Sequence, residues 1–313
     1  MHTSAPAAVF EAEESAKIPA WFQRALDVPS EARDVMVDGC AIHYVTWGEL
    51  GKPGIVLLHG SNAHLEWWRM VAPFLADHFR VAAMDFSGAG DSGWRTAYSG
   101  AQFAREVMAV ARAAQLGDKP YVVGHSFGGF VTLDTGYLFG HELGGIITLD
   151  FTISSPAQVA EFAEFRRQRR AEPVRPTRIY PDRAAALARF RLMPEQTCQY
   201  PGIVAYVGAK GIRAVEDGWT WKFDPGMFKN LSMEEPDEPD RKTKLLNLAC
   251  PVAMIMAEQS LDYSQDSLAY TRQLTDGVIP MLTIPNTQHH LMFDEPLAVT
   301  TAIKSLLLAW HLT

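Results

Sequence analysis

The chain has 313 residues, of which 48% are hydrophobic, and a formal net charge of −8 at pH 7. It is long enough to bury a large core. The negative charge disfavours nucleic-acid binding, because phosphate contacts need clustered Lys and Arg.

Cysteine usage and the N-terminal segment indicate where the protein works. Cys40, Cys198 and Cys250 have no metal-ligand spacing, and so sparse and odd a set favours a reducing cytosol over a disulfide framework. Residues 1–26 lack a basic region followed by an apolar run, so they do not predict a secretory signal. No uninterrupted apolar run reaches the roughly 18 residues of a membrane helix. We therefore expect a cytoplasmic protein with no membrane and no nucleic-acid partner.

The first half of the chain begins with a tail and then alternates between strand and helix patterns. Residues 1–33 predict a frayed tail and a short helix, and residues 35–48 predict a β-hairpin around Asp38-Gly39. Continuous apolar runs then predict strands that are buried on both faces. These runs are contained in residues 54–60, 80–93, 120–129 and 143–154. Helical spacing covers the segments between them, 64–79, 99–117 and 130–140.

Residues 155–243 interrupt this alternation. Their composition shifts to Arg, Pro and Glu, and their spacing predicts amphipathic helices. The strand pattern resumes afterwards, and residues 296–312 predict a closing helix. We therefore predict an α/β core, residues 34–154 and 244–313, with residues 155–243 as an inserted helical cap. Alternating strands and helices predict a mostly parallel sheet with helices on both faces.

Ligand sites of such sheets lie outside the carboxyl ends of the strands. The residues of interest therefore follow the apolar runs directly. They are His59 to Asn62, Asp85 to Asp91, Gly124 to Gly129 and Asp150 to Ser154.

The third of these loops carries a possible nucleophile. Gly124-His125-Ser126-Phe127-Gly128 fits the pattern G-x-S-x-G between a predicted strand and a predicted helix, which is the context that the pattern requires. The glycines leave room for a sharp turn, from which the Ser126 hydroxyl projects at the top of the sheet. The alternative interpretation is a glycine-rich turn that happens to contain a serine.

A serine hydroxyl needs a base, and the base needs an acid to orient it. His289 and His290 follow the last predicted strand and are candidates for the base. At this point the chain resembles the α/β-hydrolase fold superfamily, whose members commonly carry a histidine, any residue, a leucine, and a proline seven places after the histidine. His289, Leu291 and Pro296 match that pattern, so the resemblance implies that His289 is the base.

Two further segments resemble the same superfamily. The segment Leu57 to Asn62 resembles its His-Gly oxyanion loop, and the segment Asp85 to Gly93 resembles a turn whose aspartates are structural. We expect the backbone N–H groups of Ser61 and Phe127 to form the oxyanion hole, because preorganised donors stabilise the charge that develops on a carbonyl oxygen. The Asn62 side chain is placed to assist.

The sequence position of the acid that would orient the base differs from the usual superfamily pattern. In the segment 251–264, Ser260 stands where most members carry the acid, with Glu258 and Asp262 two residues to either side. A second position, used by haloalkane dehalogenases, follows the preceding core strand, and Asp150 occupies it. We favour Asp150 over Asp262; the alternative for Asp150 is an aspartate that caps a strand end. Those dehalogenases use an aspartate nucleophile, and Ser126 stands in its place here.

A serine nucleophile with an oxyanion hole indicates acyl transfer. We predict a serine hydrolase that cleaves a carboxylic ester or lactone of a small hydrophobic substrate, with no cofactor and no metal. Asn62, Trp67, His125 and Phe151 border the catalytic loops and are assigned to substrate binding. The alternative for each aromatic side chain is packing in the core, which is the more common role of such residues. Two alternatives remain open: a cofactor-free C–C bond hydrolase with the same triad, and a non-catalytic ligand receptor of this fold. The oligomeric state, monomer or homodimer, is open as well.

Overall fold

An eight-stranded sheet runs through the centre of the protein. The computed structural model describes residues 18–161, 173–232, 239–260 and 265–312. The strands of the described residues are β1 (Glu31–Val37), β2 (Cys40–Trp47), β3 (Gly54–Leu58), β4 (Arg80–Met84), β5 (Tyr98–Ser99), β6 (Tyr121–His125), β7 (Gly145–Leu149), β8 (Ile212–Val215), β9 (Gly218–Trp221), β10 (Leu231–Ser232), β11 (Val252–Ala257) and β12 (Met281–Ile284). In the sheet they lie in the order β1-β2-β4-β3-β6-β7-β11-β12.

The direction of the strands confirms the predicted fold class. β1 and β2 form the predicted antiparallel hairpin, with Val37 opposite Cys40, and β2 pairs antiparallel with β4. From β4 to β12 all neighbours pair in parallel. β3, β6 and β7 are buried at every residue, which explains why their sequences are continuous apolar runs.

Helices cover both faces of this sheet. The described helices are α1 (Ala20–Asp27), α2 (Ala72–Leu75), α3 (Gly100–Ala113), α4 (Phe127–Phe139), α5 (Arg183–Leu187), α6 (Pro201–Lys210), α7 (Arg241–Leu246), α8 (Gln265–Leu274), α9 (Leu291–Asp294) and α10 (Pro296–Leu312). Ile55 and Leu57 of β3 belong to one apolar cluster with α1, α2 and α10. Val56 and Leu58 belong to a second cluster with α3 and α4. Successive side chains of a strand point to opposite faces, so one strand contributes to both cores.

The segment predicted as a helical cap lies between β7 and β11. Its described part contains a helix over residues 156–161 together with α5, α6 and α7. It also contains the antiparallel hairpin β8–β9, in which Ile212 pairs with Trp221. Aromatic and β-branched residues favour strands, which explains why these residues form a hairpin. The helical spacing of the surrounding sequence did not predict it. Residues 162–172 and 233–238 of the cap, like residues 1–17 of the tail, lie outside the described residues.

None of the helices in the described ranges combines the length and the apolar character needed to cross a membrane.

A buried polar network joins the insert to the core. Glu66 lies in a 3₁₀ turn, Leu65–Trp68, and forms a salt bridge of 2.9 Å with Arg69. The hydroxyl of Tyr206, on α6, donates a hydrogen bond of 2.6 Å to the Glu66 carboxylate. Burial by itself would raise the pKa of Glu66, but the hydrogen bonds and charge of Arg69 outweigh it and hold the pKa at about 2. The carboxylate is therefore charged across the ordinary pH range.

The substitution Glu66→Gln tests this network through the pH dependence of stability. The folded-state pKa of Glu66 lies below its ordinary value of 4.5. Its contribution to the free energy of unfolding is therefore complete above that pH and is lost as the pH falls towards 2. Urea unfolding at a series of pH values measures the free energy of unfolding of both proteins. The difference between wild type and Glu66→Gln should become smaller as the pH falls.

Glu142→Gln is the matched control, because Glu142 also pairs with an arginine, at 3.0 Å, but on the surface. Exposed pairs contribute little, about 1 kcal/mol or less. If the difference in the free energy of unfolding between wild type and Glu66→Gln stays constant with pH, the assigned role of the charged carboxylate is contradicted.

Candidate active site

Ser126 sits on a strained turn between β6 and α4. Its backbone has φ 54° and ψ −115°, a conformation that is unfavourable for any residue with a side chain. Close packing around the turn holds it there: a Cβ atom on Gly124 would lie 2.2 Å from the Gly128 carbonyl oxygen, and one on Gly128 would lie 2.4 Å from the Leu58 carbonyl oxygen. Glycine is therefore required at both positions, as the G-x-S-x-G pattern predicts.

His289 follows β12 and contacts the serine. Its Nε2 lies 3.0 Å from Ser126 Oγ, and its Nδ1 lies 2.7 Å from Asp150 Oδ2. An ionised carboxylate can only accept hydrogen bonds, so Nδ1 carries the proton and Nε2 is free to accept from the serine hydroxyl. The imidazole is 4% exposed. This arrangement leaves the basic nitrogen directed at the hydroxyl that the sequence identified.

Asp150 directly follows β7, at φ 46° and with no exposed surface. Besides His289, its carboxylate accepts hydrogen bonds from the Ala257 N–H at 3.1 Å and from the Ser260 hydroxyl at 2.6 Å. The structure thus brings together Ser126, His289 and Asp150. Of the other acids considered, Glu258 accepts instead from the Asn286 N–H at 2.8 Å, and Asp262 lies outside the described residues.

The two expected oxyanion donors belong to segments that border Ser126. Phe127 is the first residue of α4, and the first N–H groups of a helix have no partner within the helix. A Cβ atom on Gly60 would lie 3.5 Å from Ser126 Cβ, so the loop after β3 passes close to Ser126. Ser61 and Asn62 follow on that loop and are exposed.

The four residues assigned to substrate binding have different surroundings. Asn62 is exposed, at φ 53°. Trp67 is 6% exposed and packs edge-on against His290 and Phe293, and Phe151 is 5% exposed and packs on Gly129. His125 is 1% exposed, and its Nε2 donates to the His289 carbonyl oxygen at 2.8 Å. The contact of His125 is therefore with the backbone of the base.

Sequence reasoning did not assign a role to the side chain of His59. Its Nδ1 donates to the Gly60 carbonyl oxygen at 2.8 Å, and its Nε2 accepts from the Phe86 N–H at 3.2 Å. Burial lowers its pKa to about 3, so the ring stays neutral and can accept. This bond ties the loop after β3 to the loop after β4, where Asp85 accepts from the Leu65 and Asp91 N–H groups. The expected structural role of Asp85 agrees with these contacts.

Within the described ranges, His125, His289 and His290 come close enough to be considered as metal ligands. One nitrogen from each lies within 4.8 Å of the others, and burial lowers the pKa of His125 to about 3 and of His290 to about 2, which leaves both rings neutral. Both nitrogens of His289 are already hydrogen-bonded, however. Zinc–nitrogen bonds are about 2.0–2.1 Å long, so a shared ion would require His289 to give up its hydrogen bond to Ser126 or to Asp150.

The chain matches a known protein family and several known proteins. A model of the Alpha/beta hydrolase family matches residues 55–302. A soluble epoxide hydrolase of Corynebacterium sp. is 42% identical over 98 residues, covering 31% of this chain and 33% of that protein. A pimeloyl-[acyl-carrier protein] methyl ester esterase of Edwardsiella ictaluri is 38% identical over 81 residues, covering 26% of this chain and 30% of that protein. The matches therefore span only about a third of these relatives.

Solved structures resemble the chain over nearly its whole length. E-2-(acetamidomethylene)succinate hydrolase has a TM-score of 0.72 at 19% identity, with 88% of this chain and 98% of that chain covered. At this level of identity the likeness shows the fold.

Gly128→Ala tests the packing that holds the serine turn. The added Cβ would lie 2.4 Å from the Leu58 oxygen and 2.7 Å from the His59 oxygen, both backbone atoms. These backbone atoms can move away from the new Cβ only if the strand itself moves. We therefore expect a loss of about 1–3 kcal/mol in the free energy of unfolding. We also expect Ser126 to react more slowly with a fluorophosphonate probe.

Gly226→Ala is the control, since its Cβ would meet side-chain atoms at 3.2 Å or beyond. Wild-type reactivity and stability in Gly128→Ala would show that the turn does not depend on this contact.

Proposed function

Because the chain belongs to the alpha/beta hydrolase family, we propose that it is a serine hydrolase that cleaves a carboxylic ester or lactone of a small hydrophobic substrate. The observation that carries the proposal is the unbroken hydrogen-bonded chain from Ser126 through His289 to Asp150, with bonds of 3.0 and 2.7 Å. Nucleophile, base and orienting acid are the three groups that acyl transfer by serine requires.

The first half of the reaction forms an acyl-enzyme. His289 Nε2 takes the proton of Ser126 Oγ as this oxygen attacks the substrate carbonyl. Negative charge develops on the carbonyl oxygen, where the N–H groups of Phe127 and Ser61 stabilise it. His289 then returns the proton to the leaving alcohol, and the ester bond breaks. Asp150 keeps the proton of the neutral ring on Nδ1 and stabilises the imidazolium that forms in between.

The second half reverses these roles with water. His289 removes a proton from a water molecule, whose oxygen attacks the acyl-enzyme carbonyl. The same two N–H groups stabilise the second tetrahedral intermediate. Collapse of this intermediate breaks the bond to Ser126 Oγ, which regains its proton from His289, and the carboxylic acid leaves.

Aromatic packing beside the nucleophile supports a hydrophobic substrate. Phe127 directly follows Ser126 and contacts Phe86 and Phe103 of the core, at ring distances of 5.7 and 5.6 Å. Phe228, from the insert, packs on the same ring at 5.3 Å and is 39% exposed. Ligand pockets are mostly apolar with a few polar groups, and Asn62 on the neighbouring loop supplies a polar side chain.

Cysteine chemistry supports a cytoplasmic location for this activity. All three cysteines are free thiols, and Cys40 is buried. Proteins of oxidising compartments more often pair their cysteines.

Hydrolysis of 4-nitrophenyl esters with acyl chains of increasing length tests the proposed activity. Wild type should release nitrophenol over many turnovers, and Ser126→Ala should lose this activity because it lacks the attacking oxygen. The rate as a function of chain length measures the size of the acyl pocket. Turnover that persists in Ser126→Ala would remove this residue from the mechanism. Absence of turnover in both would favour a C–C bond hydrolase or a ligand receptor.

Asp150→Asn and Asp262→Asn together test the identity of the acid. An asparagine at the true position stabilises the wrong tautomer of the base, which costs about 10⁴-fold in kcat in serine proteases. We expect this loss for Asp150→Asn and a change of less than about threefold for Asp262→Asn. Steady-state kcat on the best ester is the measurement. If Asp262→Asn lost more kcat than Asp150→Asn, the acid would be residue 262.

A further inference from the structure

Ser260 lies against the carboxylate of Asp150. β7 and β11 are parallel neighbours in which Leu149 pairs with Ile255. The residues that follow the two strands therefore meet at one edge of the sheet. There the Ser260 hydroxyl lies 2.6 Å from Asp150 Oδ2, a distance typical of a hydroxyl that donates to an ionised carboxylate.

This hydroxyl shares its acceptor atom with the base. Asp150 Oδ1 accepts from the Ala257 N–H, whereas Oδ2 accepts from both Ser260 and His289 Nδ1. Two donors on one oxygen use both of its lone pairs and fix the plane of the carboxylate. A buried carboxylate is costly unless it is hydrogen-bonded in this way, and Asp150 has no exposed surface.

We propose that Ser260 is a positioning residue for the catalytic base, acting through Asp150. The proposal rests on the proposed serine hydrolase function. Ser260 holds Oδ2 where His289 needs it, and it withdraws part of the negative charge that would otherwise act on the ring. A serine that only filled space would have neither effect.

The two effects have different kinetic signatures. Loss of the hydroxyl removes one of the three donors that hold the carboxylate, which loosens its orientation and lowers kcat with little change in KM, because the hydrogen bond of Ser260 is with the acid. It also leaves more negative charge on Oδ2, which holds a proton on His289 more firmly. The acid limb of the pH profile of kcat/KM therefore moves to higher pH, since the base must be unprotonated to act.

The experiment compares Ser260→Ala, Ser260→Thr and Ser267→Ala in the full chain. Ser260→Thr keeps the hydroxyl. Ser267→Ala is the matched control, because Ser267 donates a hydrogen bond of similar length, 2.7 Å, to Gln158 and does not contact the triad. For Ser260→Ala we expect kcat to fall about tenfold, as loss of a hydrogen bond to a charged group predicts. The acid limb of the kcat/KM profile should move to higher pH. Ser260→Thr should restore both the wild-type kcat and the wild-type acid limb.

Three results would overturn the proposal. They are a kcat within twofold of wild type in Ser260→Ala, an equal loss in Ser267→Ala, and an unmoved acid limb. Failure of Ser260→Thr to restore activity would likewise show that the hydroxyl is not the operative group.

A proton NMR measurement separates this proposal from the proposed function. The downfield resonance of the His289 Nδ1 proton reports its bond to Asp150 without any turnover. We expect the resonance to move in Ser260→Ala and to stay in Ser260→Thr and Ser267→Ala. If wild type shows no Ser126-dependent hydrolysis, the function fails while this readout still decides the role of Ser260. An unmoved resonance in Ser260→Ala contradicts that role whatever the activity.

Discussion

The buried carboxylate of Asp150 is the group on which the geometry of the site depends. It has no exposed surface, and a buried charge is tolerated only when donors surround it. Those donors come from two other strand ends: Ala257 ends β11 and Ser260 follows it, and His289 follows β12. One side chain therefore joins three segments that are distant in sequence. The hydrogen bonds that make the buried charge tolerable also fix the orientation of the His289 ring.

Close backbone packing supplies the second constraint. Gly60, Gly124 and Gly128 stand where a Cβ atom would meet the turn at Ser126 or the strand beside it. The positive φ of Ser126 persists because the packed neighbouring backbone leaves no room for the turn to adopt another conformation. His59 adds a hydrogen bond from this region to the Phe86 N–H. The turn at Ser126, the loop after β3 and the strand ends thus form one closely packed unit.

The insert contributes to this unit through polar contacts with the core. Tyr206 reaches Glu66, Lys222 reaches Asp91 at 2.7 Å, and the Tyr98 hydroxyl donates to Asp224 at 2.7 Å. Each contact joins a segment of the insert to a loop at the carboxyl edge of the sheet or to the strand that follows it. Phe228 adds an apolar contact on the ring next to the nucleophile. Changes in the insert are therefore expected to reach the site through contacts such as these.

Local sequence was sufficient to predict the sheet, its helices, the serine turn and the histidine that contacts Ser126. Buried parallel strands appear as apolar runs, and the glycines that a strained turn requires are contiguous with Ser126. These signals depend on neighbours in the chain, which a sequence displays directly. The hairpin β8–β9 was not predicted, because four-residue strands are too short to distinguish from surrounding helical segments by periodicity.

A resemblance favoured Asp150 as the partner of His289, but the residues by themselves left Asp262 open. Asp150 and Asp262 both follow predicted strands, and nothing in the local pattern distinguishes a strand-end aspartate from one that faces a histidine 139 residues away. The choice is made by the order of the strands, which sets β7 beside β11 and β11 beside β12. Tertiary structure likewise decided the contact of Ser260. The sequence by itself determined which reactive side chains stand at strand ends; only the arrangement of the strands decided which of them meet, because that depends on distances that no local pattern encodes.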